Sequence, residues 1–330
     1  MPSLNVLLIS DGRPGHYRLA EGIVAGLGRI RPIGVQRLEV RRRWRTPTRS
    51  LAWLMKVGLP AAWVLKLGYG FDARDLPKVD VIVSAGGDTL AANVAAARLL
   101  GAPNIFYGSL RRYDGGDFAL SLSSYERPGQ VMALKPSAFD PDTLPPAPAF
   151  AGLIIGGDTP DIRYRWEDWQ RLASYMRETH VRSGTQWVVS NSRRTPDQAS
   201  HLVAELAAER GGPIQSFIDV RSAAAGSLVD LFAHCATILC TADSSSMLSE
   251  SVWARRPVIA IRPAAFKLTD AEAGYRRYLE KNGWARELAV AELAPERVAV
   301  ILSEIEPLKE NPLDQLAATL RRELPQLVAK

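Results

Sequence analysis

The sequence predicts an α/β protein with two Rossmann-like domains in tandem and a cleft between them. At about 150 residues per domain, a chain of 330 residues predicts two domains. Continuous apolar runs bounded by Gly and Ser alternate with stretches of helical periodicity, which is typical of parallel strands covered by helices on both faces. A proline-rich stretch near mid-chain interrupts this alternation and separates two such regions.

Seven apolar runs are the candidate strands, and most are followed by a helical pattern. They are Val6–Ser10, Val79–Ser84, Asn104–Tyr107, Leu153–Ile155, Gln186–Ser190, Ala236–Cys240 and Val258–Ile261. In open α/β sheets, ligands bind at the carboxyl ends of the strands. Functional residues are therefore expected in the loops that follow these runs.

The stretch Lys135–Pro148 contains five prolines and predicts the connection between the domains. We predict an N-terminal domain over residues 1–140, a linker over 141–150 and a C-terminal domain over 151–330. We assign the last helix to the second domain. The alternative is that this helix packs back on the first domain.

Composition and charge exclude several classes of protein. With 47% hydrophobic and 23% charged residues, the chain is neither disordered nor fibrous. The net charge of +6 is concentrated between Arg29 and Arg49, where eight arginines accompany a single acid, Glu39. A nucleic-acid-binding domain usually spreads its cations over a face and interleaves aromatic residues, whereas here an apolar segment follows at once. The pattern argues against nucleic acid and favours an anionic membrane surface.

The segment 41–68 joins these arginines to apolar residues. Leu51–Leu67 has thirteen apolar residues among seventeen, but Lys56, Pro60 and Lys66 make it a poor spanning helix. It is typical of a hairpin or bent helix lying on a membrane, with Trp and Lys among the headgroups. Ordinary core helices are the alternative. The predicted membrane-binding residues are Arg41, Arg42, Arg43, Arg45, Trp53 and Trp63.

The cysteines and the first residues of the chain indicate the cellular compartment. Cys235 and Cys240 are the only cysteines, and with four scattered histidines they build neither a zinc site nor a disulfide framework. We therefore expect buried thiols, no metal and a reducing compartment. The apolar run Asn5–Ile9 is too short for a signal peptide, so a cytoplasmic protein, peripheral to the inner face of the membrane, is expected.

The first candidate loop, Ser10–His16, lies between the first strand and a helix. Gly12 and Gly15 let a ligand approach the backbone, and the helix N-terminus favours an anion. The loop has neither a Walker motif nor Gly-x-Gly-x-x-Gly, which argues against P-loop and nicotinamide chemistry. His16 is the candidate general base, because the ordinary pKa of histidine lies near neutrality, and Asp11 is the second candidate. Purely structural roles for both are the alternative.

The loop Ser84–Thr89 is a second glycine-rich strand end, followed by an alanine-rich helix. A tight turn is the simpler interpretation. The functional interpretation places Gly86, Gly87 and Asp88 on the wall of the cleft, with Asp88 as the third candidate base.

Three loops of the second domain follow predicted strands and are expected to meet at one ligand. They supply what a diphosphate needs: backbone N–H groups beside Gly, a guanidinium and a hydroxyl-rich helix start. The candidate binding residues are Gly156, Gly157, Ser192, Arg193, Arg194, Asp243, Ser244, Ser245, Ser246 and Glu250. Asp243 and Ser244 also suit an ordinary helix N-cap, and Glu250 an ordinary solvated helix position.

The motifs Asp11–His16, Ser192–Pro196 and Ala242–Glu250 together resemble the mitochondrial fission Elm-type family, found in plants and bacteria. The resemblance covers most of the chain and implies the two-domain GT-B-like fold of glycosyltransferases. More distantly, Ser249-Glu250 ahead of Ala254–Val258 is similar to the donor helix of the lipid-linked N-acetylglucosamine transferase of peptidoglycan synthesis. In that enzyme the matching glutamate holds the nucleotide ribose, and a Gly-Gly-x-Gly-Gly-His loop matches Asp11–His16 in part.

The resemblance implies a glycosyltransferase that uses a nucleoside-diphosphate sugar, no cofactor and a lipid-linked acceptor at a membrane. The first domain would be the acceptor side, and the second would bind the nucleotide sugar. No Asp-x-Asp motif follows a predicted strand, so Arg193 and a helix dipole are expected to stabilise the departing diphosphate without a metal. Two alternatives stay open: a membrane-docked scaffold that recruits a partner, and a nucleotide-sugar 2-epimerase.

Overall fold

The computed structural model describes residues 2–43, 47–146, 148–222 and 226–328. Within them the strands are β1 (Leu4–Ser10), β2 (Ile33–Glu39), β3 (Val81–Ala85), β4 (Asn104–Tyr107), β5 (Leu120–Ser123), β6 (Val131–Met132), β7 (Phe150–Ile154), β8 (Ile162–Arg163), β9 (Trp187–Ser190), β10 (Ile214–Ile218), β11 (Cys235–Thr241), β12 (Val258–Arg262), β13 (Ala265–Phe266) and β14 (Ala285–Ala289). The α-helices are α1 (Pro14–Gly28), α2 (Thr48–Lys56), α3 (Ala61–Tyr69), α4 (Leu90–Leu100), α5 (Trp166–Ser183), α6 (Asp197–Ala208), α7 (Leu228–His234), α8 (Ser245–Trp253), α9 (Asp270–Lys281), α10 (Pro295–Ser303) and α11 (Pro312–Glu323).

The described residues form two compact units. Those up to Phe139 and from Glu310 onward form the N-terminal unit, and Asp140–Lys309 forms the C-terminal unit. The last helix, α11, packs on α1 within the N-terminal unit. Each unit contains one six-stranded parallel sheet, which confirms the predicted α/β class with two Rossmann-like domains.

The sheet of the N-terminal unit has the strand order β2-β1-β3-β4-β5-β6, and every pair in it is parallel. The order reverses between β1 and β3. Such a reversal opens a crevice above the carboxyl ends of the two strands, which is where doubly wound sheets bind ligands. The loops after β1 and β3 flank this point.

The sheet of the C-terminal unit has the order β10-β9-β7-β11-β12-β14 and is also parallel throughout. Its order reverses between β7 and β11, so the loops after these two strands flank the second such point. A short antiparallel pair, β8 with β13, forms a separate two-stranded sheet in this unit. Apolar residues of the sheet pack with α5 and α6 in one core cluster.

The apolar segment after the arginines forms two short helices, α2 and α3, with a break at Gly58 and Pro60. Leu51 and Leu65 are fully buried in the core, whereas Trp53 and Trp63 are 62% and 52% exposed. The segment is thus divided into two helices by a break, in agreement with the predicted hairpin or bent helix. One face of each helix packs in the core, as the alternative of ordinary core helices predicted. In the described part of the chain, no helix combines the length and apolar character needed to cross a bilayer.

Candidate functional site

Three loops of the C-terminal unit meet at the carboxyl edge of its sheet. They follow β9, β7 and β11, which are neighbours in the sheet and run parallel, so their ends share one edge. Two buried threonines join the loops. The hydroxyl of Thr195 lies 3.0 and 2.5 Å from the carbonyl oxygens of Ile155 and Gly156. On the other side, the N–H of Gly156 donates to Oγ1 of Thr241 at 2.6 Å. The loop after β7 is thus held by both of its neighbours.

The carboxylate of Asp243 completes this cluster. It accepts hydrogen bonds from the N–H of Gly157 at 3.0 Å, the hydroxyl of Thr241 at 2.7 Å and the guanidinium of Arg194 at 2.7 Å. Its side chain is fully buried. Burial raises the pKa of the Asp243 carboxyl, and the three donors oppose that rise. Asp243 therefore positions the loops, and its contacts with Arg194 and Gly157 occupy it within the protein.

Gly156 and Gly157 are required by close packing. A Cβ atom on Gly156 would lie 2.1 Å from Oδ1 of Asp243, and one on Gly157 would lie 2.0 Å from the carbonyl oxygen of Arg194. Both N–H groups already donate to side chains, that of Gly156 to Thr241 at the end of β11 and that of Gly157 to Asp243 in the loop that follows. The structure therefore leaves neither N–H available to a phosphate, contrary to what the glycine-rich pattern suggested.

Beside this cluster, the predicted site presents unoccupied polar groups. Arg193 is exposed and has no hydrogen bond or ion pair with any residue that the structure describes. Helix α8 begins at Ser245, and the hydroxyl of its N-cap, Ser244, accepts the N–H of Met247 at 3.4 Å. The N–H groups of Ser245 and Ser246 have no acceptor in the same described ranges. A guanidinium and a helix start of this kind are suited to an anion.

Two further predicted residues flank this helix start. The Oγ of Ser192 accepts the N–H of Arg194 at 3.2 Å, so it lies within the loop after β9. Glu250 is half-buried on α8, one turn beyond Ser246 and on the same face. Burial raises the pKa of the Cys240 thiol, with smaller contributions from the charges of Asp243 and Glu250. Cys235 and Cys240 are both free and buried.

A second group of predicted residues lies at the carboxyl edge of the N-terminal sheet. Oδ2 of Asp11 is 2.7 Å from Nδ1 of His16, and the His16 side chain is 33% exposed. A carboxylate at Nδ1 fixes the tautomer and leaves Nε2 to accept a proton. Nε2 makes no hydrogen bond or ion pair with any residue in the described ranges. This is the geometry of an oriented general base.

Asp88, the third candidate base, is engaged by two cations. Its carboxylate lies 3.2 Å from the guanidinium of Arg13 and 3.1 Å from that of Arg42. Both oxygens of the Asp88 carboxylate are thus engaged by guanidinium groups, whereas His16 is held by Asp11 through Nδ1. In the same loop region, Gly12 has a positive φ of 75°, which a side chain rarely adopts, and Gly15 faces open space.

The predicted membrane arginines separate into different environments. Arg41 is exposed and pairs with Glu39. Arg42 pairs with Asp88, so it belongs to the N-terminal site and is not a free surface cation. The N–H of Arg43 donates to the carbonyl of Gly68, which attaches it to α3. Arg45 lies outside the described residues.

Sequence reasoning missed three residues at these edges. Thr195 and Thr241 were not singled out, although each occurs in a loop or strand end already identified. Arg111 follows β4, a correctly predicted strand whose loop was not considered, and its guanidinium lies against Gly87.

In the described ranges, no group of three or more His, Cys, Asp or Glu side chains has the arrangement of a metal site.

The sequence model of the family described as mitochondrial fission ELM1 matches residues 131–324, which is more than half of the chain. The chain belongs to this mitochondrial fission ELM1 family. The matched residues include the whole site of the C-terminal unit, whereas the Asp11–His16 loop of this ELM1 family member precedes them. A comparison with curated protein sequences finds no match.

Solved structures similar to this ELM1 family member include glycosyltransferases and epimerases. The glycotransferase of kitacinnamycin is 12% identical with a TM-score of 0.51, over 99% of this chain and 96% of that one. The UDP-GlcNAc 2-epimerase from Methanocaldococcus jannaschii is 13% identical with a TM-score of 0.54, over 98% and 100% of the chains. The enzyme of that name from Neisseria meningitidis is 11% identical with a TM-score of 0.53, over 98% and 100%. At such identities the likeness shows the fold, which is GT-B.

Proposed function

We propose that the protein is a glycosyltransferase whose C-terminal unit binds a nucleoside-diphosphate sugar and whose N-terminal unit binds the acceptor. The observation that carries the proposal is the cluster of three loops at the point where the C-terminal sheet reverses its order. The loops of the cluster carry the guanidinium of Arg193, which has no partner among the described residues, and the open start of α8. A GT-B neighbour, the epimerase from Neisseria meningitidis, was crystallised bound to UDP-GlcNAc, which supports a nucleotide sugar as the ligand.

The donor diphosphate binds to Arg193 and to the N–H groups of Ser245 and Ser246, where the dipole of α8 is positive. The pair between Arg194 and Asp243 fixes the loop after β9, and this fixes Arg193 on the same loop. Glu250 accepts the ribose hydroxyls, as the resemblance implies. Ser192 and the N-cap Ser244 complete the hydroxyl-rich wall.

The chemical step is a displacement at the anomeric carbon. The acceptor hydroxyl attacks that carbon, the bond from carbon to the diphosphate oxygen breaks, and the hydroxyl proton passes to Nε2 of His16. Asp11 stabilises the imidazolium formed. The diphosphate leaves with its electron pair, and Arg193 with the α8 dipole stabilises the added negative charge.

A thermal-shift screen with nucleoside diphosphates and nucleotide sugars tests the proposal. A ligand at a hundred times its Kd adds about 2.7 kcal/mol to the free energy of unfolding, which raises the Tm measurably. We expect stabilisation by at least one nucleoside diphosphate and by its sugar conjugate. A membrane-docked scaffold without a nucleotide site predicts no stabilisation by any of them, and that result would reject the enzyme.

A nucleotide-sugar 2-epimerase is the second candidate, because two of the structural neighbours are epimerases of UDP-GlcNAc. It uses the same donor site and needs no acceptor. Incubation with the stabilising nucleotide sugar alone distinguishes the two activities. A glycosyltransferase leaves the sugar configuration unchanged, whereas an epimerase inverts it at C2, which NMR of the sugar detects.

Substitution of His16 by alanine is expected to lower the transfer rate by about a hundredfold or more, the usual contribution of a general base. Donor affinity should not change, because His16 is not among the residues proposed to bind the donor. His201, an exposed histidine of α6, is the matched control. Full activity of His16→Ala would exclude the histidine as the base.

The acceptor is proposed to be reached at a membrane through the exposed face of α2 and α3. We define the α2–α3 face by Trp53, Val57, Trp63 and Leu67, which are all exposed, whereas other residues of the two helices, among them Leu51, Met55 and Leu65, are core. The ammonium group of Lys66 lies 5.7 Å from the centre of the Trp63 ring. Exposed tryptophans with adjacent lysines are typical of surfaces that bind at the headgroup level of anionic lipid.

Cosedimentation with vesicles containing anionic phospholipid tests the α2–α3 face. We expect binding that weakens as salt is raised, and a loss of about tenfold or more when Trp53 and Trp63 are both replaced by serine, since each buried aromatic side chain contributes about 2 kcal/mol. Both side chains are exposed, so the core is preserved. Val181→Ser, at an 83% exposed valine of the C-terminal unit, is the control. Equal sedimentation of all three proteins would refute the membrane surface.

A further inference from the structure

Arg276 of α9 is a buried arginine whose guanidinium ends at the loop after β11. Its Nη2 donates to the carbonyl oxygen of Ala242, the first residue of that loop, at 2.6 Å. Two carboxylates hold the same guanidinium: Nη1 lies 3.1 Å from Oε1 of Glu287 on β14, and Nε lies 3.4 Å from Oε1 of Glu272 on α9. One side chain therefore ties the carbonyl of Ala242 to α9 and β14.

The N–H of Ala242 is also fixed by a buried side chain. It donates to the hydroxyl of Tyr164 at 2.8 Å and to the carbonyl oxygen of Ile261 at 2.9 Å. The Tyr164 hydroxyl in turn donates to the same carbonyl oxygen at 2.6 Å. Burial raises the pKa of Tyr164, so the hydroxyl keeps the proton that this bond needs. Both polar backbone groups of Ala242 are thus occupied, which holds the beginning of the loop in one position.

Helix α8, which follows this loop, is held by the neighbour of Arg276. The hydroxyl of Tyr275 lies 2.6 Å from that of Ser249, one turn beyond Ser245, the first residue of α8. Tyr275, Arg276 and Tyr164 are all buried, so a ligand at the surface of the protein does not reach them. Their effect on ligand binding is exerted through the loop after β11 and the start of α8.

We infer that Arg276 and Tyr164 are positioning residues of the donor site, which hold the loop after β11 and thereby place the N–H groups of Ser245 and Ser246 at the diphosphate. A buried ion pair usually adds little stability compared with apolar side chains of the same volume. A planar guanidinium held by two carboxylates, however, fixes the carbonyl that it contacts within a narrow range of positions. Binding groups need such support from the residues behind them. The inference rests on the proposed function and extends its donor site to α9.

Titration calorimetry with UDP, CDP, dTDP, ADP and GDP tests the inference. We expect at least one of these to bind the unmodified protein. Arg276→Lys should weaken that binding by about tenfold or more, because one ammonium group cannot serve a carbonyl and two carboxylates as the guanidinium does. Tyr164→Phe should weaken it by about fivefold, the effect of losing a neutral hydrogen bond. This variant keeps the ring, and the N–H of Ala242 keeps its bond to Ile261, so it should fold.

Arg31→Lys is the matched control. Arg31 of the N-terminal unit is as buried as Arg276, and its guanidinium also donates to backbone carbonyl oxygens, those of Pro2 and Leu327. This control should lose stability and keep its affinity. Denaturation curves identify a temperature at which about nine-tenths or more of each variant is folded. There, lower stability alone changes the apparent Kd by only about a tenth, whereas a displaced loop changes it severalfold.

Unchanged affinity in Arg276→Lys would overturn the inference for Arg276, and unchanged affinity in Tyr164→Phe would overturn it for Tyr164. If Arg276→Lys does not fold, Glu287→Gln takes its place: the amide keeps the shape of the carboxylate but holds the guanidinium less strongly, so binding about threefold weaker is expected. An equal loss of affinity in Arg31→Lys would show a general effect of destabilisation and reject the inference. If none of the five nucleotides binds the unmodified protein, the proposed donor site fails, and the inference fails with it.

Discussion

Replacing Arg193 with alanine is expected to slow glycosyl transfer about a hundredfold. A preorganised charged donor to a leaving group contributes about 3 kcal/mol to stabilisation of the transition state, and each 1.36 kcal/mol is about tenfold in rate. Arg193 is exposed and has no partner within the described ranges, so its loss should leave folding intact. The affinity for the nucleoside diphosphate should fall as well, because the same guanidinium contacts the product.

Calorimetric titration with the nucleoside diphosphate and initial rates of transfer measure the effect. Arg193→Lys retains the charge but lacks the paired hydrogen-bond donors, so an intermediate loss is expected. Arg210→Ala is the matched control, because Arg210 is exposed after the end of α6 and before β10, at the opposite edge of the sheet. Equal affinities in Arg193→Ala and Arg210→Ala would remove Arg193 from the donor site.

The strands that could be predicted are those buried on both faces. β3 and β12 are buried along nearly their whole length, and such strands are continuous apolar runs in any sequence. β2 and β10 lie at the edges of their sheets and consist mostly of half-buried and exposed residues, so their sequences did not stand out. Edge position is a property of the assembled sheet, and local hydrophobicity does not report it.

The convergence of the three C-terminal loops was predictable, because loops after parallel strands share an edge. The role of each side chain was not. Asp243 meets Arg194, which is 49 residues away, and Asp88 meets Arg42, which is 46 residues away. Residues predicted to bind a ligand directly were thus found to hold one another. Residue type indicates which interactions a side chain can make. Only the packing decides whether its partner is a ligand or a neighbouring loop.

The segment 48–69 illustrates the same limit. Its apolar content suited both a membrane surface and a core, and the structure shows one apolar face buried in the core and another exposed. Leu51 and Met55, one turn apart on α2, are buried, whereas Trp53 and Val57, also one turn apart, are exposed. Counting apolar residues could not separate the two, since both faces of the helix are apolar.

Alanine at Gly157 is expected to lower the free energy of unfolding by about 1–3 kcal/mol, the usual cost of overpacking. The φ of Gly157 lies outside the left-handed region, so the backbone itself accepts alanine. The cost arises because the new Cβ atom would lie 2.0 Å from the carbonyl oxygen of Arg194. A carbonyl group of the backbone cannot swing aside, so the loops after β7 and β9 must separate. Arg193 moves with its neighbour, and nucleotide affinity should fall about tenfold or more, the effect of losing about 1.4 kcal/mol.

Chemical denaturation and calorimetric titration of the same variant measure the two effects. Gly274→Ala on α9 is the matched control: the nearest atom to its Cβ is 3.9 Å away, and alanine favours a helix over glycine by about 1 kcal/mol. This control should be at least as stable as the unmodified protein and should bind nucleotide equally. Equal stability of the two variants would show that the loops after β7 and β9 do not pack as described. Lower stability of Gly157→Ala with unchanged affinity would show that these loops pack closely but do not hold the nucleotide.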